Sequence, residues 1–129
     1  MKSAVAVPRP FGRLVTWSPS LTLVPTNGCF NACGYCSFRR IPGQEQVLEP
    51  SAAEDRIAAR PEALEVLLLS GEVAPEAPER RAWFARLLQL SRLALDHGRL
   101  PHTNAGPLSR REMAALGRLN PSLGLMLEG

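Results

Sequence analysis

Apolar positions fall in two rhythms along the 129-residue chain, short unbroken runs and longer stretches at helical spacing. LTLVPT, from Leu21 to Thr26, is a short β-prone run that gives way to Asn27-Gly28, and so reads as a strand feeding a loop. Ser51 followed by Glu54 makes a capping-box pattern at the head of SAAEDRIAAR, which Pro61 stops, so a short helix is expected. EVLLLSGE, from Glu65 to Glu72, stays apolar until its end, the mark of a strand buried on both faces. In APERRAWFARLLQLSRLALDHG, Trp83, Leu87, Leu90 and Ala94 recur on one helical face. Phe84, Leu88 and Leu95 flank them, and Gly98 closes the segment. RLPHTN reads as a third strand. Ser109 with Glu112 repeats the capping box before a helix through Leu119, and SLGLMLE reads as a fourth strand.

The predicted order is therefore β-α-β-α-β-α-β, which implies right-handed crossovers and a parallel α/β sheet. Such a sheet is either open and doubly wound or part of a (βα) barrel. Polar groups sit at the C-terminal end of each strand: Thr26 and the cysteines, then Ser70 and Glu72, then Thr103 and Asn104, then Glu128. In a barrel those ends meet at one mouth, where the chemistry lies, so the barrel-type arrangement is expected. Residues 1–20 form an extension leading into the first strand, and residues 21–129 form a single structural region.

Composition narrows the partners. With 45% hydrophobic residues the chain can build a core, and its twelve prolines fall at element boundaries instead of forming a tract. A net charge of +3, with no basic block interleaved with aromatics, argues against nucleic acid. No apolar run approaches the ~20 residues of a membrane span. The run Ala4 to Val7 is too short for a signal-peptide core, so a reducing, cytoplasmic location is expected.

All three cysteines lie in CFNACGYC, Cys29 to Cys36, spaced C-x-x-x-C-x-x-C. An odd count so close in sequence does not make a disulfide framework. Three thiolates on a flexible loop can hold three corners of a metal centre, either zinc with a fourth ligand elsewhere or an iron-sulfur cluster with one open iron. The two histidines offer little to zinc. His97 falls in the last turn of a helix, where the dipole favours it, and His102 serves equally as a satisfied histidine beside a strand end. The second C-x-x-C pair usual in structural zinc sites is missing, which favours the cluster.

CFNACGYC after a first strand, with Tyr35 before the last cysteine, resembles the cysteine loop of the radical S-adenosylmethionine enzymes. LLLSGE resembles the G-G-E motif of that superfamily, with Ser70 in place of the first glycine. Within the superfamily, TWSPSLTLVPTNGCFNACGYCSFRR, LLLSGEVAPE, LPHTNAGPLSRREM and NPSLGLMLE resemble the ring-closing subunit of the 7,8-didemethyl-8-hydroxy-5-deazariboflavin (FO) synthase family. This similarity runs from about Val15 to the end.

The resemblance implies a partial TIM-type barrel of which residues 21–129 are the N-terminal part. It also implies a 4Fe-4S cluster held by Cys29, Cys33 and Cys36, and S-adenosylmethionine as second cofactor. Tyr35 would lie against the adenine. Ser70, Gly71 and Glu72 would meet the methionine amino group, and Glu128 would accept from the ribose. Thr103 and Asn104 would line the substrate side or, equally, serve a structural turn, and Arg39 and Arg40 would be a solvated pair on the loop unless one of them neutralises the charge of the cluster. The reaction implied is a radical lyase step of deazaflavin formation in coenzyme factor 420 biosynthesis. Its small-molecule substrate, a hydroxybenzyl adduct of ribityl-diaminouracil, would come from a tyrosine-using partner radical enzyme, with an electron donor as further partner. A sister enzyme (that partner subunit or a biotin-synthase-like protein) and a non-catalytic zinc- or cluster-binding scaffold are the alternatives.

Overall fold

The computed structural model describes residues 7–8, 14–41 and 43–126. Its main body is one sheet of four parallel strands, β3 (Ser20–Leu23), β4 (Glu65–Leu69), β5 (Leu100–Asn104) and β6 (Ser122–Gly124), in that spatial order. Three helices make the crossovers: α1 (Pro50–Ala58), α2 (Arg80–Asp96) and α3 (Arg110–Leu116). Strand order equal to chain order, with a helix between each pair, is the arrangement of a partial (βα) barrel, as expected from the sequence. Two further strands in the N-terminal extension, β1 (Val7–Pro8) and β2 (Leu14–Val15), pair antiparallel with Val7 opposite Val15. The periodicity reading did not find them, because two-residue strands carry no periodicity.

One sheet face carries the core. Leu23, Val66 and Leu68 are fully buried against Ala53 and Ile57 of α1 and Leu90 and Ala94 of α2. A second cluster joins Trp83 and Leu87 of α2 to Ala105 and Leu116. The stripe Trp83, Leu87, Leu90 and Ala94 thus faces inward as its spacing predicts. The opposite face is more open. Leu67 is half-buried and Leu69 is 37% exposed, so β4 is not buried on both faces. Its continuous apolar run answers to the helix layer at Val66 and Leu68, while Leu67 and Leu69 face the side on which no described helix packs.

Helix boundaries follow local chemistry. The Ser109–Glu112 capping box is present in both directions at the start of α3. The one expected at Ser51 is not: α1 starts at Pro50, with Glu49 as N-cap and no side-chain cap bond. Proline suits the first helical position because its missing N–H has no partner to lose there, so Ser51 already lies within the first turn. His97 caps the C-terminus of α2 and meets Glu54 Oε1 at 3.3 Å, and Gly98 follows at φ +68°.

Candidate functional site

The cysteine loop leaves β3 at its C-terminal end and is stitched along its stem. Leu48 N donates to Pro25 O at 2.9 Å, Arg40 N to Asn27 O at 2.8 Å, and Gln46 N to Asn27 Oδ1 at 2.8 Å. Thr26 bridges Val47 and Gly28 bridges Arg40. Those pairings close off the lobe from Cys29 to Arg39, which is therefore anchored at its base and not a freely flexible loop. Arg39, expected to be solvated, donates through Nε to the Cys29 carbonyl at 3.0 Å, whereas Arg40 stays exposed.

Backbone bonds also weld this lobe to the end of β4. Gly71 N donates to Thr26 O at 2.7 Å, and Phe30 N donates to Glu72 O at 3.0 Å. Gly71 is buried so closely that a Cβ there would lie 2.1 Å from the Gly28 carbonyl oxygen. This close approach is what glycine in the S-G-E turn permits. Ser70 extends the ladder, its N–H donating to Asn104 O at 3.0 Å. Its hydroxyl is engaged on both sides, donating to Gly71 O at 2.8 Å and accepting from Trp83 Nε1 at 2.9 Å.

The result is a cleft of about 250 Å³ at the C-terminal ends of the strands. Cys29, Cys33, Cys36, Tyr35, Ser70, Gly71, Glu72 and Asn104, all singled out by sequence, line it together. Asn31, Phe38, Leu69, Gly106 and Met126 complete it. None of the three cysteines is in a disulfide; Cys29 and Cys33 are half-buried, Cys36 is exposed, and Tyr35 is 70% exposed. A second hollow of about 200 Å³ shares Cys29 and Glu72 and is lined also by Trp83, Val47 and Arg86.

Thr103 is not brought to the cleft. It is buried on the helix-facing side, donating through Oγ1 to Asn120 Oδ1 at 2.8 Å. Successive strand residues point to opposite faces, so Thr103 and Asn104 cannot share one side. His102, on the same face as Asn104, hydrogen-bonds Ser122 through Nδ1. Glu128 lies outside the described residues.

Arg80 holds the surrounding loops. Its guanidinium donates to both carboxylate oxygens of Glu112, at 2.9 and 2.8 Å, and to the carbonyls of Val73 and Pro107. It also stacks 4.5 Å from the Trp83 ring centre. The loop after β4 is thereby tied to the loop after β5. The Arg80 bond, helped by the Ser109 backbone, holds the Glu112 carboxyl at a pKa of about 2.

Asn31 and Gly106 are the residues that motif reading missed. Asn31 Nδ2 donates to Glu72 Oε2 at 2.7 Å across 41 positions of sequence. Nothing local announces such a contact, although the position of Asn31 between two cysteines is a clue. Among the described residues no group of three or more His, Cys, Asp or Glu side chains stands in a metal-holding arrangement. What fits a thiolate-bound metal group is the donor chemistry, three disulfide-free cysteines of one loop lining one cleft. No helix of the described residues is long and apolar enough to cross a membrane.

A cysteine-bearing lobe welded to the strand ends of a parallel α/β sheet defines a partial-barrel protein with its site at the barrel mouth. No protein-family model matches the chain. Among curated proteins it is 56% identical over 117 residues to the 7,8-didemethyl-8-hydroxy-5-deazariboflavin synthase of Synechococcus elongatus, which covers 89% of this chain and 35% of that protein. The enzyme of the same name from Nostoc sp. is 51% identical over 125 residues, 95% of this chain and 37% of the relative. That from Thermosynechococcus vestitus is 54% identical over 118 residues, 90% and 38%. The chain is thus a sequence relative of the deazariboflavin synthases, as its motifs indicated. It spans between 35% and 38% of the length of these curated relatives.

Proposed function

We propose that the chain acts in deazaflavin formation as a radical S-adenosylmethionine enzyme, with Cys29, Cys33 and Cys36 holding a 4Fe-4S cluster. The observation that carries this reading is the meeting of those cysteines with Tyr35, Ser70, Gly71, Glu72 and Asn104 in one cleft. Identity of 56% to a deazariboflavin synthase supports the choice of pathway. When bound, the cluster and S-adenosylmethionine supply one-electron cleavage of the sulfonium and, through it, hydrogen abstraction from substrate.

The residues of the chain bind and orient. The Glu72 carboxylate, fixed at the end of β4, accepts from the ammonium of the methionine moiety as a charge-assisted acceptor. The Ser70 hydroxyl, already committed to Gly71 O and Trp83, shapes that turn. Tyr35, an exposed lining residue of the cleft, offers its ring to the adenine, and Glu128 offers a carboxylate to the ribose. Asn104 presents its amide on the substrate side of the cleft. The overall step is ring closure of a hydroxybenzyl-ribityldiaminouracil adduct with loss of ammonia, a lyase reaction. A tyrosine-using partner enzyme supplies the adduct, a separate donor the electron, and the setting is cytoplasmic.

Anaerobic reconstitution with iron and sulfide tests the reading. Four iron and four sulfide per chain are expected from the cluster type, with loss of both when Cys29, Cys33 and Cys36 are all alanine. Stoichiometric zinc without acid-labile sulfide would replace this reading with that of a zinc-binding scaffold.

A further inference from the structure

Glu72 is fixed more fully than the end of a strand requires. Its carbonyl accepts from Phe30 N at 3.0 Å, and its Oε2 accepts from Asn31 Nδ2 at 2.7 Å. Gly106 is buried and left-handed at φ +73°. A Cβ on it would fall 2.3 Å from Glu72 Cγ and Cδ and 2.7 Å from Oε1. One wall therefore grips a carboxylate oxygen, and the other leaves the space that the carboxylate fills.

The chemistry of the grip matters. An arginine or lysine partner would orient a carboxylate and neutralise it, whereas the Asn31 amide donates a hydrogen bond and carries no charge. The carboxylate is thus oriented with its negative charge kept for a cationic ligand. Asn31 also lies between Cys29 and Cys33, so the contact forms when the cysteine lobe docks on β4.

We propose that Asn31 and Gly106 are positioning residues that aim the Glu72 carboxylate at the ammonium group of an amino-acid ligand in the cysteine-lined cleft. This inference rests on the proposed role of Glu72 as ammonium acceptor. It adds that affinity for the amino-acid end of the ligand depends on an amide inside the cysteine loop and on a missing side chain in the loop after β5.

Equilibrium dialysis on the reconstituted chain tests it with two probes: S-adenosylhomocysteine, which has an ammonium group, and 5′-methylthioadenosine, which does not. Glu72→Gln, Asn31→Leu and Gly106→Ala should each weaken S-adenosylhomocysteine by about tenfold, the scale of one hydrogen bond to a charged group. Methylthioadenosine should stay within about twofold. The double variant Asn31→Leu/Glu72→Gln should bind no worse than Glu72→Gln alone, because Asn31 acts through Glu72. If Asn31→Leu lowers the iron and sulfide content, Gly106→Ala, outside the cysteine loop, carries the test. An unaltered chain that holds no S-adenosylhomocysteine, or a Glu72→Gln variant with unchanged affinity, overturns both the role of Glu72 and this inference. Loss in Glu72→Gln with unchanged affinity in Asn31→Leu and Gly106→Ala overturns the inference alone, as does equal weakening of the two probes.

Discussion

Replacing Gly71 by alanine should detach the cysteine lobe without unfolding the sheet. The added Cβ would meet Gly28 O at 2.1 Å, Gly28 C at 2.7 Å and Cys29 Cβ at 3.2 Å, against a floor of 3.0 Å for real Cβ contacts. The nearest atoms are backbone, so the segment around Gly28 must retreat by about 1 Å as a unit. Two hydrogen bonds span that seam, Gly71 N to Thr26 O at 2.7 Å and Phe30 N to Glu72 O at 3.0 Å. A shift of about an ångström takes them to or past the limit of hydrogen bonding. At roughly 0.5–1.5 kcal/mol net for each, docking of the lobe weakens by about 1–3 kcal/mol. The sheet is spared, since β4 pairs with β3 and β5 through residues 65–69. Amide hydrogen exchange separates the two effects. The Phe30 amide should exchange about 5- to 150-fold faster in Gly71→Ala, while Val66 and Leu68 stay within about twofold. Unchanged protection at Phe30 would refute the seam, and equal loss at Val66 and Leu68 would mean that the lobe and the sheet open together.

Two further perturbations probe the frame around the cleft. Glu112 has its pKa depressed from 4.5 to about 2 by Arg80, so its contribution is full above about pH 4.5 and fades as pH falls through about 2. Urea unfolding should show the unaltered chain more stable than Glu112→Gln by at most about 3 kcal/mol at pH 7. The gap should close by pH 2, and one that persists there would refute the ionic origin. Asn120→Ala should lower stability by about 2–4 kcal/mol in thermal unfolding, since it strands the buried Thr103 Oγ1 and Ser91 Oγ that Asn120 pairs at 2.8 and 3.1 Å. A loss below about 0.5 kcal/mol would show that this network does not join β5 to α2 and α3.

What the sequence revealed depended on whether the cause was local. Trp83, Leu87, Leu90 and Ala94 announce α2 because helix spacing and burial are the same fact seen twice. Ser109 and Glu112 announce α3 because both halves of the cap lie within four residues. The same pattern misled at Ser51, where Pro50 and its fixed φ set the start of the helix first. Strand alternation, applied strictly, would have parted Thr103 from Asn104 and put His102 in its place beside the open face. The cysteines were legible as a set because all three fall within eight consecutive residues.

The parts of the cleft that stayed hidden are those made by contacts between distant segments. Glu72 could be read as a polar residue at a strand end, but its direction is decided by Asn31, 41 residues earlier, and by the empty space at Gly106. Each is unremarkable alone: an asparagine in a loop, a glycine in a turn. They become meaningful only when the sheet brings the ends of β3, β4 and β5 side by side, Leu23 opposite Leu68 and Leu69 opposite Asn104. That registry also explains why the lobe is joined to β4 by main-chain bonds. A hydrogen bond between backbones needs no rotamer ordering at either partner, so it fixes Phe30 against Glu72 at less entropic cost than a pair of long side chains would require. Among the cleft side chains, the Ser70 hydroxyl is drawn back into the frame by Trp83 of α2, and the Asn31 amide is spent on the Glu72 carboxylate.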